Sequence, residues 1–464
     1  MDFRRVYFLG IGGIGMSALA RYFMLEGLKV AGYDRTPSTL TAELEAEGAV
    51  IHYEDDVRMV PAEFLDARTT IVVYTPAVPA DHSELQYFRR EGFEVVKRSQ
   101  MLGVLSQGKY VMAVAGTHGK TTTTTLTAWL NRAVTGRGNA FLGGVSRNFA
   151  SNFIAGGGER LAVEADEFDR SFLRLWPDAA VVTSADADHL DIYGTHEAVK
   201  EAFAQFIRQI RKGGALVLKQ GVDVVVDNPD IDVWSYSLRE PCDFWARNIE
   251  PAGGGHYRYD IVTPDGVIEG CTLGVAGEVN IENSIAAVAL LWCAARHDGV
   301  KLDEERLREG LASFEGVKRR FECYVNCDEG VYIDDYAHHP RELAAALGSI
   351  RRMFPGRRIT AVFQPHLYTR TRDLHVEFGE ALSLADEVVL LPIYPAREEP
   401  IEGVTSEIIG EYVTVPWRMS SRERLADEVR SGETDVLITF GAGNIDACCE
   451  SVAAAVANKC RKGQ

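Results

Sequence analysis

The sequence predicts an α/β protein of three domains. These are a Rossmann-like N-terminal domain, a central P-loop ATPase-type parallel sheet with a small antiparallel sheet, and a Rossmann-like C-terminal domain. Three observations lead there. A β-branched run, a glycine turn and a helical pattern succeed one another at residues 6–9 and 10–15, and again at 111–115 and 116–121. A weaker third instance lies at 435–440, followed by Gly441 and Gly443. Strands alternating with helices imply βαβ units and mostly parallel sheets, and 464 residues are enough for several domains of roughly 100–200 residues each.

Breaks are expected near residue 106, where a polar stretch separates a helical pattern from a new strand, and near residue 316, giving segments 1–106, 107–316 and 317–464. Residues 213–276 carry short strands and turn signals that fit a small antiparallel sheet better than another βαβ unit.

Composition removes several classes. Apolar residues make up 46% and charged residues 25%, the balance of an ordinary soluble protein. Lys and Arg number 49 against 67 Asp and Glu, a net charge of −18, so nucleic acid and anionic membrane are poor partners. Any anionic ligand must be held locally, against that field. The longest wholly apolar run, 285–295, is shorter than the roughly 20 residues of a membrane span. No signal peptide is expected, because residues 6–9 run straight into glycines. Eight cysteines without a Cys-x-x-Cys, one adjacent pair being Cys448 and Cys449, read as reduced thiols of a cytoplasmic protein, neither a disulfide framework nor a zinc site.

The first loop matches G-x-G-x-x-G at Gly10, Gly12 and Gly15. Bare glycines let the backbone close on a diphosphate at a helix N-terminus. Asp34, at the end of the next strand, sits near the offset of an acid that binds a ribose hydroxyl. The second loop, Gly116 to Thr121, ends in Gly-Lys-Thr, although its first glycine is closer than in the usual spacing. Its N–H groups would form an anion nest, Lys120 would reach the outer phosphates and the Thr121 hydroxyl would ligate Mg²⁺. ATP is therefore the expected ligand. Glu164 ends an apolar strand and His189 follows another, so both would converge on the same sheet edge and could complete a metal site; the alternative is two solvated loop residues. Asn280 and Asn283 open a helix that runs through 285–295, with N-capping as their alternative role.

Taken in order, Gly10 to Met16, Gly116 to Thr121, Glu164 to Glu167, Asp188-His189, Asn280 and Asn283, Arg319-Arg320-Phe321 and residues 334–340 resemble the Mur ligases over essentially the whole chain. The resemblance implies that 1–106 binds a UDP-sugar through Gly10, Gly12, Gly13, Gly15, Met16, Asp34 and Thr75. It implies that 107–316 binds ATP through Gly116, Thr117, His118, Gly119, Lys120, Thr121, Thr122, Asn280 and Asn283. The segment 317–464 would close on ATP with Arg320, Asp335 and His338, and bind the amino acid with Tyr336, His366 and Arg370.

Two Mg²⁺ ions are implied, with Thr121, Glu164 and His189 as ligands; Lys120, Glu164, His189, Arg320 and Asp335 form the implied catalytic set. The implied reaction joins L-alanine to the lactyl carboxylate of UDP-N-acetylmuramate through an acyl phosphate, in peptidoglycan precursor synthesis by a cytoplasmic monomer or homodimer. Adding a recycled peptide to the same sugar is the alternative.

The chain departs from the family pattern at Phe168, where serine is usual, at Ser184, where asparagine is usual, and at Leu367, where arginine is usual. Later-acting members carry a carbamylated lysine where this chain has Phe203, and Phe203 also fits the apolar stripe of an amphipathic helix. A Rossmann oxidoreductase would leave Lys120, Thr121 and Glu164 idle. A non-catalytic UDP-sugar sensor would need neither metal ligands nor a closing arginine.

Overall fold

The computed structural model describes residues 3–186, 190–396, 398–432 and 435–462. It contains three sheets. The first is built from β1 (Arg5–Leu9), β2 (Lys29–Tyr33), β3 (Val50–His52), β4 (Thr70–Tyr74) and β5 (Glu94–Lys97), in the order β3-β2-β1-β4-β5 with every pair parallel. Val6, Tyr7, Phe8 and Leu9 are fully buried, as a strand covered on both faces requires. The strand order reverses between β1 and β4, so the loops after them flank a crevice of the kind that admits ligands in open α/β sheets.

The second sheet has ten strands: β6 (Tyr110–Ala115), β7 (Asn139–Ser146), β8 (Ser151–Ala155), β9 (Arg160–Ala165), β10 (Ala179–Val182), β11 (Ala215–Lys219), β12 (Asp232–Ser237), β13 (Phe244–Gly253), β14 (His256–Thr263) and β15 (Gly266–Thr272). Their order is β15-β14-β13-β12-β11-β10-β6-β9-β7-β8. The antiparallel part expected over 213–276 is narrower than that range. β11 pairs parallel with β10 and β12, and β12 parallel with β13, whereas β14 and β15 pair antiparallel in the same continuous sheet. Leu216 and Val217 of β11 are fully buried, which suits a parallel interior strand and not a two-sided hairpin.

After β6 runs the helix Lys120–Thr135, which forms despite its threonines. The hydroxyls of Thr124, Thr125 and Thr127 donate to the carbonyls of Lys120, Thr121 and Thr123, so buried polar side chains are satisfied by the helix itself. Phe203 is fully buried and packs edge-on against Phe172, which confirms the apolar stripe.

The third sheet holds β16 (Glu322–Cys327), β17 (Gly330–Asp335), β18 (Ile359–Phe363), β19 (Glu387–Leu390), β20 (Trp417–Met419) and β21 (Val436–Phe440), in the order β16-β17-β21-β18-β19-β20. Only β16–β17 is antiparallel.

By packing, the chain divides into two compact units. One runs to Ile249 and includes Arg258–Gly274 and Asn280–Gly316; the other comprises Glu250–Tyr257, Val275–Val279 and the chain from Val317 onward. Within the first unit the first two sheets are joined by Arg21, whose buried guanidinium donates to Asn152 at 2.5 Å and to Glu43 and Glu47 at 2.7 and 2.9 Å. Among the described residues no helix is long and apolar enough to cross a membrane. The expectation that every cysteine is a free thiol fails at one pair: Cys327 and Cys460 form a disulfide, with Cα atoms 6.3 Å apart. A separation of 133 residues hides that pair from any reading of local spacing.

Candidate active site

The first glycine loop is shaped by what surrounds it. Gly10 has φ +83°, and a Cβ there would lie 2.6 Å from the Thr75 methyl, so the loops after β1 and β4 close on each other. The Gly12 N–H donates to Asp34 at 2.8 Å, so this carboxylate braces the loop. The helix Ile14–Leu25 begins at Gly13 with no side-chain cap, leaving the Gly15 N–H of its first turn to serve an anion, whereas the Met16 N–H donates to the Gly13 carbonyl at 2.9 Å. Arg98 supplies a cation that the motif reading missed: its guanidinium would lie 2.6 Å from a Cβ at Gly15.

The second loop follows β6. Gly116 has φ +137°, and a Cβ would meet the Thr183 hydroxyl at 2.0 Å. That hydroxyl donates to the His118 carbonyl at 2.5 Å. Ser184 Oγ accepts from the His118 N–H at 2.9 Å and lies 2.8 Å from the Thr117 hydroxyl, so the serine found where asparagine is usual is bonded into the loop. Gly119, φ +79°, approaches the Asn283 side-chain oxygen, which also accepts from Thr123 at 3.2 Å. Asn283 in turn donates to Asn280 at 3.2 Å. Both asparagines lie inside the helix Glu278–His297 and are buried, so they tie that helix to the loop and are not N-caps.

Lys120 Nζ donates to the Gly116 carbonyl at 2.7 Å and to Glu167 Oε1 at 2.9 Å, and lies 2.8 Å from Glu167 Oε2 in the same ion pair. Burial opposes its charge, but the carboxylates of Glu167, Asp166 and Glu164 outweigh that and hold the ammonium above its ordinary pKa. Thr121 Oγ1 donates to Glu164 at 3.2 Å. A hydroxyl and a carboxylate brought together beside a cationic nest are the hard oxygen donors that Mg²⁺ takes, so the residues fit that ion. His189, the third expected ligand, lies outside the described residues, as does Asp188. Thr122 shares the first turn of the helix with Lys120 and Thr121. Phe168, where serine is usual, is 39% exposed. Glu167 and Thr183 were not singled out from sequence, because nothing local marks the partner of a residue 47 or 65 positions away.

In the second unit, Asp335 ends β17 and accepts from the N–H groups of Phe321 and Ala337 at 2.7 and 2.8 Å. Burial pushes its carboxyl up to about 6, against the pull of Arg320. Arg320 lies over the Tyr336 ring, 5.1 Å from its centre. The ring of His338 is 5.4 Å from that of Tyr336 and 6.3 Å from that of His366. Burial lowers the His338 pKa, and Arg370 and Arg320 lower it further. One Arg370 nitrogen, Nη1, is buried with no hydrogen-bond partner among the described residues, a cation awaiting an acceptor. The structure therefore gathers Arg320, Tyr336, His338, His366 and Arg370 within this unit.

A glycine nest holding a lysine and a threonine beside a carboxylate, with a second uncapped glycine loop at the switch point of another parallel sheet, defines an α/β protein built to bind phosphate-bearing ligands. The matches narrow this. Residues 5–110 match the model for the Mur ligase family catalytic domain, 114–291 the Mur ligase middle domain, and 319–443 the Mur ligase glutamate ligase domain. The chain belongs to the Mur ligase family. It is similar to the UDP-N-acetylmuramate–L-alanine ligase of Parabacteroides distasonis, 48% identical over 98% of each chain. It is also similar to the protein of that name from Porphyromonas gingivalis strain W83, 48% identical over 96% of this chain and 97% of that one. Among solved structures it resembles the UDP-N-acetylmuramate–alanine ligase of Thermotoga maritima, with a TM-score of 0.80 at 24% identity over 99% of this chain and 100% of that one. A murein peptide ligase from Psychrobacter arcticus gives a TM-score of 0.70 at 21% identity over 98% of this chain and 99% of that one.

Proposed function

We propose that this protein is an ATP-dependent amide ligase that joins L-alanine to the lactyl carboxylate of UDP-N-acetylmuramate, supplying peptidoglycan precursor in the cytoplasm. The observation that carries this reading is full-length similarity, 48% identity over 98% of each chain, to a relative named for that reaction. The site chemistry agrees with it. A carboxylate resists amines until one oxygen becomes a leaving group, and phosphorylation by ATP makes it one, giving an acyl phosphate that the amine displaces.

In this reading Gly116, Thr117, His118, Gly119 and Thr122 line the phosphate nest, and Lys120 exchanges Glu167 for the outer phosphates of ATP. Asn280 and Asn283 serve the nucleotide side. Thr121, Glu164 and His189 would hold Mg²⁺, which offsets charge where phosphates and carboxylate meet. The UDP-sugar falls to Gly10, Gly12, Gly13, Gly15, Met16, Asp34 and Thr75. Arg320, Asp335 and His338 are assigned to the nucleotide, and Tyr336, His366 and Arg370 to L-alanine, whose carboxylate suits a guanidinium fork. Domain boundaries at 106/107 and 316/317, and a monomer or homodimer, belong to the same reading.

The test is direct. Protein, MgATP and UDP-N-acetylmuramate are incubated with L-alanine, glycine, L-serine or a recycled-type tripeptide, and phosphate release and product mass are read. The expected result is stoichiometric phosphate with L-alanine and a product heavier by one alanyl residue. Turnover with the tripeptide alone would replace the proposal with the peptide-adding reaction.

A further inference from the structure

Outside the candidate active site, one cluster of metal-binding side chains stands out. Cys327 ends β16, Glu329 lies in the turn to β17, and Cys460 sits in the last turns of the helix Cys449–Lys462. One ligand atom from each of the three lies within 4.8 Å of the other two, and no other group of three such residues meets that spacing among the described residues. Cys327 and Cys460 are partly exposed, and Glu329 is exposed, so reductants and ions can reach the cluster. Most other thiols differ. Cys271 and Cys293 are buried, and burial pushes both up to about 12, which makes them inert. Arg357, itself paired with Asp435, donates to the carbonyls of Cys327 and Asp328 at 3.3 and 3.1 Å, which fixes the turn.

We propose that Cys327, Cys460 and Glu329 form a thiol-gated site for a thiophilic divalent cation, zinc. The two sulfurs have mutually exclusive fates. Joined by the S–S bond, they have no thiolate to donate. A dithiol reductant supplies two electrons, leaves as its own disulfide, and gives two cysteine thiols. Zinc then displaces both thiol protons and takes two thiolates at about 2.3 Å and one Glu329 oxygen at about 2.0–2.2 Å, with water as the fourth ligand. Soft thiolates select such an ion over Mg²⁺, which prefers oxygen donors alone. In either state a cross-link ties the terminal helix to the β16–β17 turn across 133 residues of chain; in the reduced, metal-free state no cross-link does, and the packing of Val452, Ala455 and Val456 holds it.

The full-length protein tests this. Non-reducing peptide mapping should find the fragment joining Cys327 to Cys460. After reduction with a dithiol and its anaerobic removal, zinc titrated against a chromogenic chelator should bind at one equivalent per chain, and oxidised protein should bind none. Cobalt in place of zinc should give a near-ultraviolet sulfur-to-metal band in reduced protein. Cys327→Ser and Cys460→Ser should each abolish uptake and the band, and Glu329→Gln should weaken zinc by about tenfold or more. Cys323→Ser should change nothing. Zinc should raise the thermal midpoint of reduced wild type but not of Cys327→Ser. Reduced wild type that takes up no zinc, oxidised protein that takes up as much, or uptake that survives both serine variants would each overturn the proposal.

Discussion

Glu167 places its carboxylate 2.8 Å from the ammonium of Lys120, with 1% of the acid side chain and 13% of the lysine exposed. The carbonyl of Glu167 accepts from the Tyr193 hydroxyl at 2.6 Å, so the acid's backbone is anchored as well. The lysine that the proposed reaction needs for phosphate is thus held in place by a buried anion.

Lys120→Met should therefore do two separable things. It removes the proposed phosphate contact, so turnover should fall by orders of magnitude. It also strands Glu167, and breaking one side of a buried pair costs about 3–5 kcal/mol. The double variant Lys120→Met with Glu167→Gln should regain most of that stability and none of the activity. Denaturant melts and phosphate release on the three proteins check this; a double variant as active as wild type would remove Lys120 from the mechanism.

Gly116→Ala should fail for a different reason. At φ +137° with a neighbouring hydroxyl 2.0 Å from the added carbon, alanine brings both backbone strain and a clash with Thr183. The strain alone costs about 1–3 kcal/mol. Because the Gly116 carbonyl also accepts from Lys120, affinity for ATP should fall more than affinity for the UDP-sugar. Nucleotide and UDP-sugar titrations on the same preparation separate the two.

How much of this was legible in the sequence follows from distance along the chain. The two glycine loops were legible because strand, turn and helix are neighbours in sequence and their chemistry is local. Glu167 was inside a quoted motif, yet its partnership with Lys120 was not, since only the pairing of β6 with β9 brings them together. Asn280 and Asn283 were placed at a helix start that the structure moves to Glu278, beyond the reach of propensity alone. Arg98 carries no motif and approaches Gly15 only through tertiary packing.

A buried network in the first sheet gives a pH dependence. The Tyr7 hydroxyl lies 2.7 Å from both Glu84 and His52, and the other His52 nitrogen lies 3.0 Å from the Glu54 carbonyl. The Tyr7 hydroxyl donates to the Glu84 carboxyl, which favours its charged form, but burial works against that charge. Burial, with Asp55 adding to it, pushes Glu84 up from 4.5 to about 8. A raised carboxyl means that the folded state keeps a proton the unfolded chain has lost. Its contribution is complete below about 4.5 and is lost as pH rises to about 8. His52 and His82, lowered by burial, act in the opposite sense below 6.5, so the Glu84 effect is cleanest between 6.5 and 8. Glu84→Gln should flatten the fall in stability across that window, and urea midpoints at several pH values will show whether it does.

The last prediction concerns Arg370, and its neighbour Leu367 sharpens it. Leu367 precedes the helix Tyr368–Leu382 with φ +72°, a left-handed backbone that a branched side chain rarely adopts, and its N–H donates to the Tyr394 carbonyl at 3.0 Å. That conformation sets the direction in which the first turn of the helix, and with it Arg370, leaves the loop. The buried, unpartnered Arg370 Nη1 stands near His338, whose pKa it lowers. If it receives the carboxylate of L-alanine, Arg370→Ala should raise the KM for alanine by about 10- to 150-fold, the equivalent of a charge-assisted hydrogen bond of about 1.5–3 kcal/mol. The KM values for ATP and UDP-N-acetylmuramate should change little. Arg370→Lys should recover only part of the loss, because a point charge does not reproduce a planar fork. Leu367→Arg keeps the strained backbone and should leave alanine binding unchanged or modestly tighter, whereas Leu367→Gly should relieve the strain and raise the thermal midpoint. Steady-state kinetics with each substrate varied in turn decide the matter: an unchanged alanine KM in Arg370→Ala would move the carboxylate anchor to His366 or Tyr336.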